Sequence, residues 1–240
     1  MPYLTDKYET IARFCPSLFL FLPIILLCWL WFPPIRSIGE TLIGILLACG
    51  VAALIARNVG DKGRDKEKLL IEKWGGLPTN ILLRYSDSTV DKITKERYHR
   101  YLQDNVPGIQ MPSEEEEMLD PVNADKTYGS AVNWLKEKAR DKEKYYLVFN
   151  DNIYYGFSRN LWALKPLGLT INITGLAINT IAIYFVYDDY NIKTTSLECY
   201  IVTAILIVSI FVWIFIIKPG FVYKAGKKYA RSLLTVCDGN

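Results

Sequence analysis

The sequence predicts an α-helical integral membrane protein with four transmembrane helices and a small α+β cytoplasmic domain inserted between helices 2 and 3. Three observations carry this expectation. Four stretches lack charge and approach the ~20 residues that a helix needs to cross roughly 30 Å of hydrocarbon. A charge-dense segment separates the second stretch from the third. Lys and Arg gather on one side of the four stretches.

The uncharged stretches are Phe14–Ile35 (22 residues), Thr41–Ala56 (16), Pro166–Tyr187 (22) and Cys199–Ile217 (19). The second is short by about one helical turn, which Gly39 and Glu40 at the interface or a snorkelling Arg57 make up. The first exceeds the roughly 7–15 apolar residues of a signal peptide, and no small-x-small cleavage site follows, so it reads as a span. Pro23 in its middle removes an N–H and predicts a kink, and Pro33-Pro34 reads as the turn into span two.

The chain divides accordingly into an N-terminal segment (1–13), a transmembrane hairpin (14–56), a charged domain (57–165), a second hairpin (166–217) and a basic tail (218–240). Residues 57–165 hold 19 Lys/Arg against 18 Asp/Glu, so the domain is highly charged yet nearly neutral. A formal net charge of +3 for the whole chain does not by itself argue for nucleic acid. Outside the domain, Lys7, Arg13, Lys218, Lys224, Lys227, Lys228 and Arg231 fall at the two ends. The turn between spans one and two has only Arg36, and the loop between spans three and four sets Lys193 against Asp188, Asp189 and Glu198. By the positive-inside rule, both termini and the charged domain face the cytoplasm.

Within that domain, Arg64–Trp74 continues span two as a charged helix that Gly75-Gly76 and Pro78 stop. Asn80–Tyr85 reads as a strand. Ser88-Thr89-Val90-Asp91 fits a capping box, and Val90, Ile93, Arg97 and Tyr101 follow helical spacing. Glu114–Glu117 reads as a solvated helix start. Asp120-Pro121 opens the longest helix, with Ala124, Tyr128, Ala131, Leu135 and Ala139 on one face. Tyr145–Phe149 reads as a second strand and Asn150-Asp151-Asn152 as its turn. Arg159, Trp162 and Lys165 suit the headgroup zone.

Catalytic chemistry finds little support. His99 is the only histidine, on a charged helix, and reads as packing or surface. Asp120 and Asp125 read as caps rather than metal ligands. Five cysteines, Cys15, Cys28, Cys49, Cys199 and Cys237, show no metal-ligand spacing and are odd in number. Neither an enzyme nor a cofactor is expected.

The polar residues within the spans say more. Span three carries Thr170, Asn172, Thr174, Asn179 and Thr180, and Asn172, Gly175 and Asn179 share one helix face. Amides are costly in hydrocarbon, so that face meets either another helix or water. The first reading is helix-helix glue or an oligomer contact. The second is a pore lining of Thr170, Asn172, Thr174, Gly175 and Asn179 from several copies. Span two offers Gly44, Ala48, Cys49 and Gly50 for close packing. No Asp, Glu, Lys or Arg lies within a core span, which argues against an ion-coupled transporter and leaves a passive pore open. Four spans per chain require several copies for any channel, hence a homo-oligomer.

Five segments carry a family resemblance: Lys95-Glu96-Arg97-Tyr98-His99, Asp120-Pro121-Val122-Asn123-Ala124-Asp125, Trp134-Leu135-Lys136-Glu137, Arg140-Asp141-Lys142, and Asn152 to Leu161 running on to Lys165-Pro166-Leu167-Gly168. They resemble a family of bacterial membrane effectors of anti-phage defence, the channel subunits of the Hailong type. The resemblance implies a multi-pass protein of the bacterial inner membrane. It implies a multimeric anion channel that single-stranded DNA oligomers, made by a nucleotidyltransferase-like partner, hold shut. Loss of the oligomer then depolarises the cell. The charged domain would be the sensor, binding phosphates through Arg84, Lys95, Arg97, Arg100 and Arg159 and stacking bases on Tyr98 and Tyr101. The alternative for those cations is pairing with the domain's own acids. For the chain as a whole the alternative is a membrane-anchored sensor or scaffold that recruits a cytosolic partner.

Overall fold

The computed structural model describes residues 6–32, 34, 38–187 and 195–239. Pro33, Arg36 and the loop residues Asp188, Asp189 and Lys193, on which part of the charge argument rests, lie outside them. Helix accounts for 83% of the chain, and the described residues contain no strand. The α+β expectation is therefore corrected to an all-helical one. Four helices are long and apolar enough to cross a membrane. Two compact units emerge: unit 1 is Met1–Lys66 with Gly156–Phe221, and unit 2 is Glu67–Tyr155 with Val222–Asn240.

Unit 1 holds the spans. A π-helical turn over Glu9–Phe14 leads into α1 (Cys15–Trp31), which contains Pro23. Helix α2 (Ile38–Trp74) makes up the missing turn of span two, since Gly39 and Glu40 are helical. Helix α8 (Lys165–Val186) is span three, and α9 (Leu197–Phe211) with a π turn over Val212–Ile216 is span four. Leu30, Ile183, Cys199, Val202 and Leu206 form one core of this unit. Leu20, Val59, Leu161, Leu164, Trp213 and Ile217 form another. The π turn leaves backbone carbonyls without helical partners, and Lys165 Nζ donates to two of them, Ile217 O at 2.8 Å and Ile214 O at 3.1 Å. The outer surfaces are apolar: Leu46, Leu54, Phe185 and Val208 are 60% exposed or more, as suits side chains solvated by lipid.

Unit 2 is built on short capped helices. Gly75 and Gly76, at φ of +75° and +145°, end α2 in conformations that a Cβ would strain. Pro78 then starts α3 (Pro78–Leu83), where a strand was expected. Thr79, Asn80, Leu82 and Leu83 are all buried, so the segment has no face to alternate, and proline at the first turn favours a helix. Asp91, rather than the Ser88 box, caps α4 (Lys92–Asn105) by accepting from Thr94 N at 2.9 Å. Helix α4 buries Lys95, Tyr98, His99 and Leu102 and leaves Ile93 77% exposed, a different face from the one its apolar spacing marked.

Ser113 and Glu116 form a reciprocal capping box on α5 (Glu114–Leu119). Asp120 caps α6 (Pro121–Lys138), whose buried residues are Ala124, Tyr128, Ala131, Val132 and Leu135, close to the expected face. Tyr145–Phe149, expected as a strand, leads into and opens α7 (Tyr146–Ala163). Tyr145 and Val148 are buried while Tyr146 and Leu147 between them are exposed, a spacing of three rather than two. Asn150-Asp151-Asn152 is thus helix interior, and Asp151 is buried against Ser232 Oγ and Lys228 Nζ. The tail is helix α10 (Pro219–Leu234). It buries Val222, Gly226, Ala230, Leu233 and Leu234 and turns Lys224, Lys228 and Arg231 outward.

Candidate functional site

In unit 1 the amides of span three are engaged by the chain's own helices. Trp31 Nε1 on α1 donates to Asn179 Oδ1 at 2.9 Å, and Asn179 Nδ2 donates to Thr203 Oγ1 on α9 at 2.8 Å. Thr203 Oγ1 donates in turn to Cys199 O at 2.7 Å. One side chain therefore joins α1, α8 and α9. Asn172 Nδ2 donates to Gly168 O at 2.8 Å, while Asn172 Oδ1 and the nearby Trp213 Nε1 are buried without a partner among the described residues. The Trp213 ring lies directly over Gly168, and Leu27 closes on Gly175.

Asn172, Gly175 and Asn179 are thus buried within one chain, the arrangement of helix-helix glue. Of the five residues expected to line a pore, Thr170 and Thr174 are exposed, on a part of α8 that borders a groove with α1. The tryptophan partners were not foreseen. Trp31 and Trp213 read from sequence only as apolar residues of their spans.

In unit 2 a polar knot centres on Glu117, the one member of its acidic run that is buried. Its carboxylate accepts from Tyr85 N (2.8 Å), Ser86 N (3.1 Å) and Tyr128 Oη (2.6 Å). Burial pushes the carboxyl upward, but these donors outweigh it and hold Glu117 below the ordinary range. Burial, followed by the bond to Glu117, raises Tyr128. Arg84 Nε donates to Asp125 Oδ1 at 2.8 Å and its other arm reaches Gly75 O at 2.6 Å; the bond to Asp125 raises its pKa further. Lys95, 2% exposed, donates to the carbonyls of Arg84 and Asp87, and burial lowers its pKa.

The residues expected to bind phosphates and bases consequently divide. Arg84 and Lys95 are built into the knot and Tyr98 into the core. Arg159 belongs to unit 1. Arg97, Arg100 and Tyr101 share one side of α4, with Arg97 Nε on Asp238 Oδ1 at 2.7 Å. Next to Tyr101 lies Lys138 Nζ, 5.0 Å from the ring centres of both Tyr101 and Trp134. Arg97, Arg100 and Lys138 are exposed, and Tyr101 and Trp134 are half-buried. Trp134 and Lys138 stand on α6, two helices on in sequence, so no local pattern joins them to α4. Asp120 serves as a cap and Asp125 as the partner of Arg84, and no group of three or more potential metal ligands occurs among the described residues.

His99 gives the knot a pH dependence. Its Nε2 pairs with Leu83 O at 2.8 Å, Nδ1 has no partner among the described residues, and the rings of Tyr85 and Tyr128 lie 4.9 and 5.4 Å away. Burial lowers its pKa below 6.5. The unfolded chain thus binds the proton more readily, and stability falls as pH drops below 6.5 toward the folded value. Glu117, lowered in the fold, adds a second loss that begins only below 4.5. The melting temperature of the detergent-solubilised chain should therefore begin to fall as the pH drops below 6.5. H99Q should flatten that first step and leave the second.

Fold and site define a multi-pass helical membrane protein. Compared with protein-family models, curated proteins and solved structures, the chain matches none.

Proposed function

We propose that the protein is a homo-oligomeric, ligand-gated membrane pore, anion-conducting, that acts as an anti-phage defence effector in the bacterial inner membrane. Both termini and unit 2 face the cytoplasm. A nucleotide or short single-stranded DNA, supplied by a nucleotidyltransferase-like partner, binds unit 2 and sets the pore's state. The observation that carries this is the chain's connectivity: α2, α7 and α10 each begin in one unit and end in the other. Three covalent connections thus link a charged domain to spans two, three and four, as a gate operated from the domain requires. Arg97, Arg100, Tyr101, Trp134 and Lys138 suit a ligand with phosphates and bases. The resemblance of the quoted segments to the Hailong-type channel subunits supports the same reading.

The burial of Asn172 and Asn179 favours a second reading, an anchored sensor that recruits a partner without conducting. Reconstitution into liposomes separates the two. The pore reading expects anion flux that short single-stranded DNA alters, with Thr170→Val and Thr174→Val changing the conductance. Liposomes that stay silent with and without the oligonucleotide would leave the sensor reading standing and remove the pore.

A further inference from the structure

Lysines gather in unit 1 where span three begins and span four ends. Lys165 is the first residue of α8, and Lys218 follows the π turn that closes span four. Lys66 Nζ donates to Ala163 O at 3.2 Å and stands 5.6 Å from the centre of the Trp162 ring. Lys165 Nζ reaches Ile217 O at 2.8 Å. Lys66 is thus tied to a carbonyl two residues from Lys165, and Lys165 to the residue before Lys218.

None of the three forms an ion pair with a carboxylate of the described residues. The bonds of Lys66 and Lys165 are to backbone carbonyls, dipoles that leave a unit charge uncompensated. Other cations of the chain are matched, Arg13 by Glu9, Arg64 by Asp61 and Lys228 by Asp151. Lys66 and Lys165 are also half-buried, so water replaces a counter-ion poorly. Beside Lys165 the surface turns apolar: Leu167, Phe211, Ile214, Phe215 and Ile216 are 41–56% exposed, and the rings of Phe211 and Phe215 lie 4.5 Å apart.

We propose that Lys66, Lys165 and Lys218, with the Trp162 indole, hold the phosphate of an anionic phospholipid whose acyl chains lie over Leu167, Ile214 and Phe215. Charge selects the headgroup, because a zwitterionic lipid carries its own cation and gains less from three lysines without counter-ions. The apolar strip selects lipid over a soluble phosphate, since it offers contacts to acyl chains at the depth where two uncharged stretches end. Tryptophan suits that boundary, with an apolar ring for the tails and an N–H for the headgroup. Lys165 keeps one ammonium N–H beyond the two on Ile214 O and Ile217 O. Such a site requires no conduction and serves a pore and an anchored sensor alike.

Native mass spectrometry of the full chain in mild detergent provides the test, with phosphatidylglycerol and phosphatidylcholine of matched acyl chains. Phosphatidylglycerol should remain bound about tenfold more than phosphatidylcholine. K218Q changes an exposed side chain and should weaken phosphatidylglycerol about fivefold, and K66Q/K218Q about twentyfold. Lys165 stays in place in both variants because it caps the π turn. K126Q/K144Q, which removes two exposed lysines of unit 2, should bind lipid as the parent does. Equal retention of the two lipids, or no loss in K66Q/K218Q, would overturn the site and leave ordinary solvating lipid. Glycerol phosphate bound as tightly as phosphatidylglycerol would overturn the lipid in favour of a soluble phosphate. Loss of single-stranded DNA binding in K66Q/K218Q, with phosphatidylglycerol unaffected, would overturn it in favour of the oligonucleotide.

Discussion

Glu117→Ala is expected to lower the melting temperature of the solubilised chain by roughly 10 °C or more, through unit 2. The carboxylate is 6% exposed and accepts three hydrogen bonds, two from backbone N–H groups and one from a fully buried tyrosine hydroxyl. Alanine strands all three donors, and each buried donor left unmade costs about 1–3 kcal/mol, so a total of about 3–5 kcal/mol is reasonable when the losses overlap. The same network fixes the chain between α3 and α4, where Lys95 ties the Arg84 and Asp87 carbonyls together. Trypsin should therefore cut first near Arg84 and Lys92 in the variant. Tyr128→Phe removes one donor and should cost about 1 kcal/mol. In the double variant the tyrosine loss should vanish, its partner being gone. A melting temperature for Glu117→Ala within a degree or two of the parent's would mean that the carboxylate is solvated and the network does not hold the unit.

Gly168→Val should be the most damaging single change in the membrane unit. The indole of Trp213 lies where any Cβ at position 168 would stand, and Trp213 is fully buried in the core with Leu20, Val59, Leu161, Leu164 and Ile217. Overpacking a filled core costs typically ~1–3 kcal/mol, and a branched side chain against a ring with no exit reaches or exceeds the top of that range. Moving the ring also disturbs the π turn over Val212–Ile216, whose carbonyls Lys165 holds. The measurement is the fraction of chain recovered as a monodisperse species in mild detergent after brief heating, with Gly220→Val as the control. Gly220 has open space around it, so its variant should behave as the parent does. Equal survival of the two variants would refute the close fit.

The spans were legible because lipid imposes a rule that reads directly from sequence: about 20 residues without charge. Of the helix caps Asp120 was legible, because a short polar side chain before Pro121 has few other uses, whereas Asp91 was hidden behind the Ser88 pattern and Ser113 behind the acidic run that follows it. Strand and helix were confused where burial removes the pattern. Asn80, Leu82 and Leu83 are buried together, which leaves Asn80–Tyr85 no alternating face, and the spacing of Tyr145 and Val148 shows only once the neighbouring helices are in place. Glu117 was lost in a run of four glutamates of which one turns inward, a choice made by Tyr128 eleven residues on. Asn172 and Asn179 were rightly marked as an unusual face. Their partners, Trp31 and Thr203, sit on other helices, and no local pattern in span three names them.

The bond from Trp31 to Asn179 and onward to Thr203 pins three of the four spans to one another through a single side chain. Such a clasp makes sliding among α1, α8 and α9 expensive, since any shift breaks two bonds in a medium that offers no replacement. Among the described residues α2 shares in no such clasp, and a Cβ built on Gly44 or Gly50 meets no described atom within 4 Å. If this body changes shape, α2 is the moving rod and the other three are its frame.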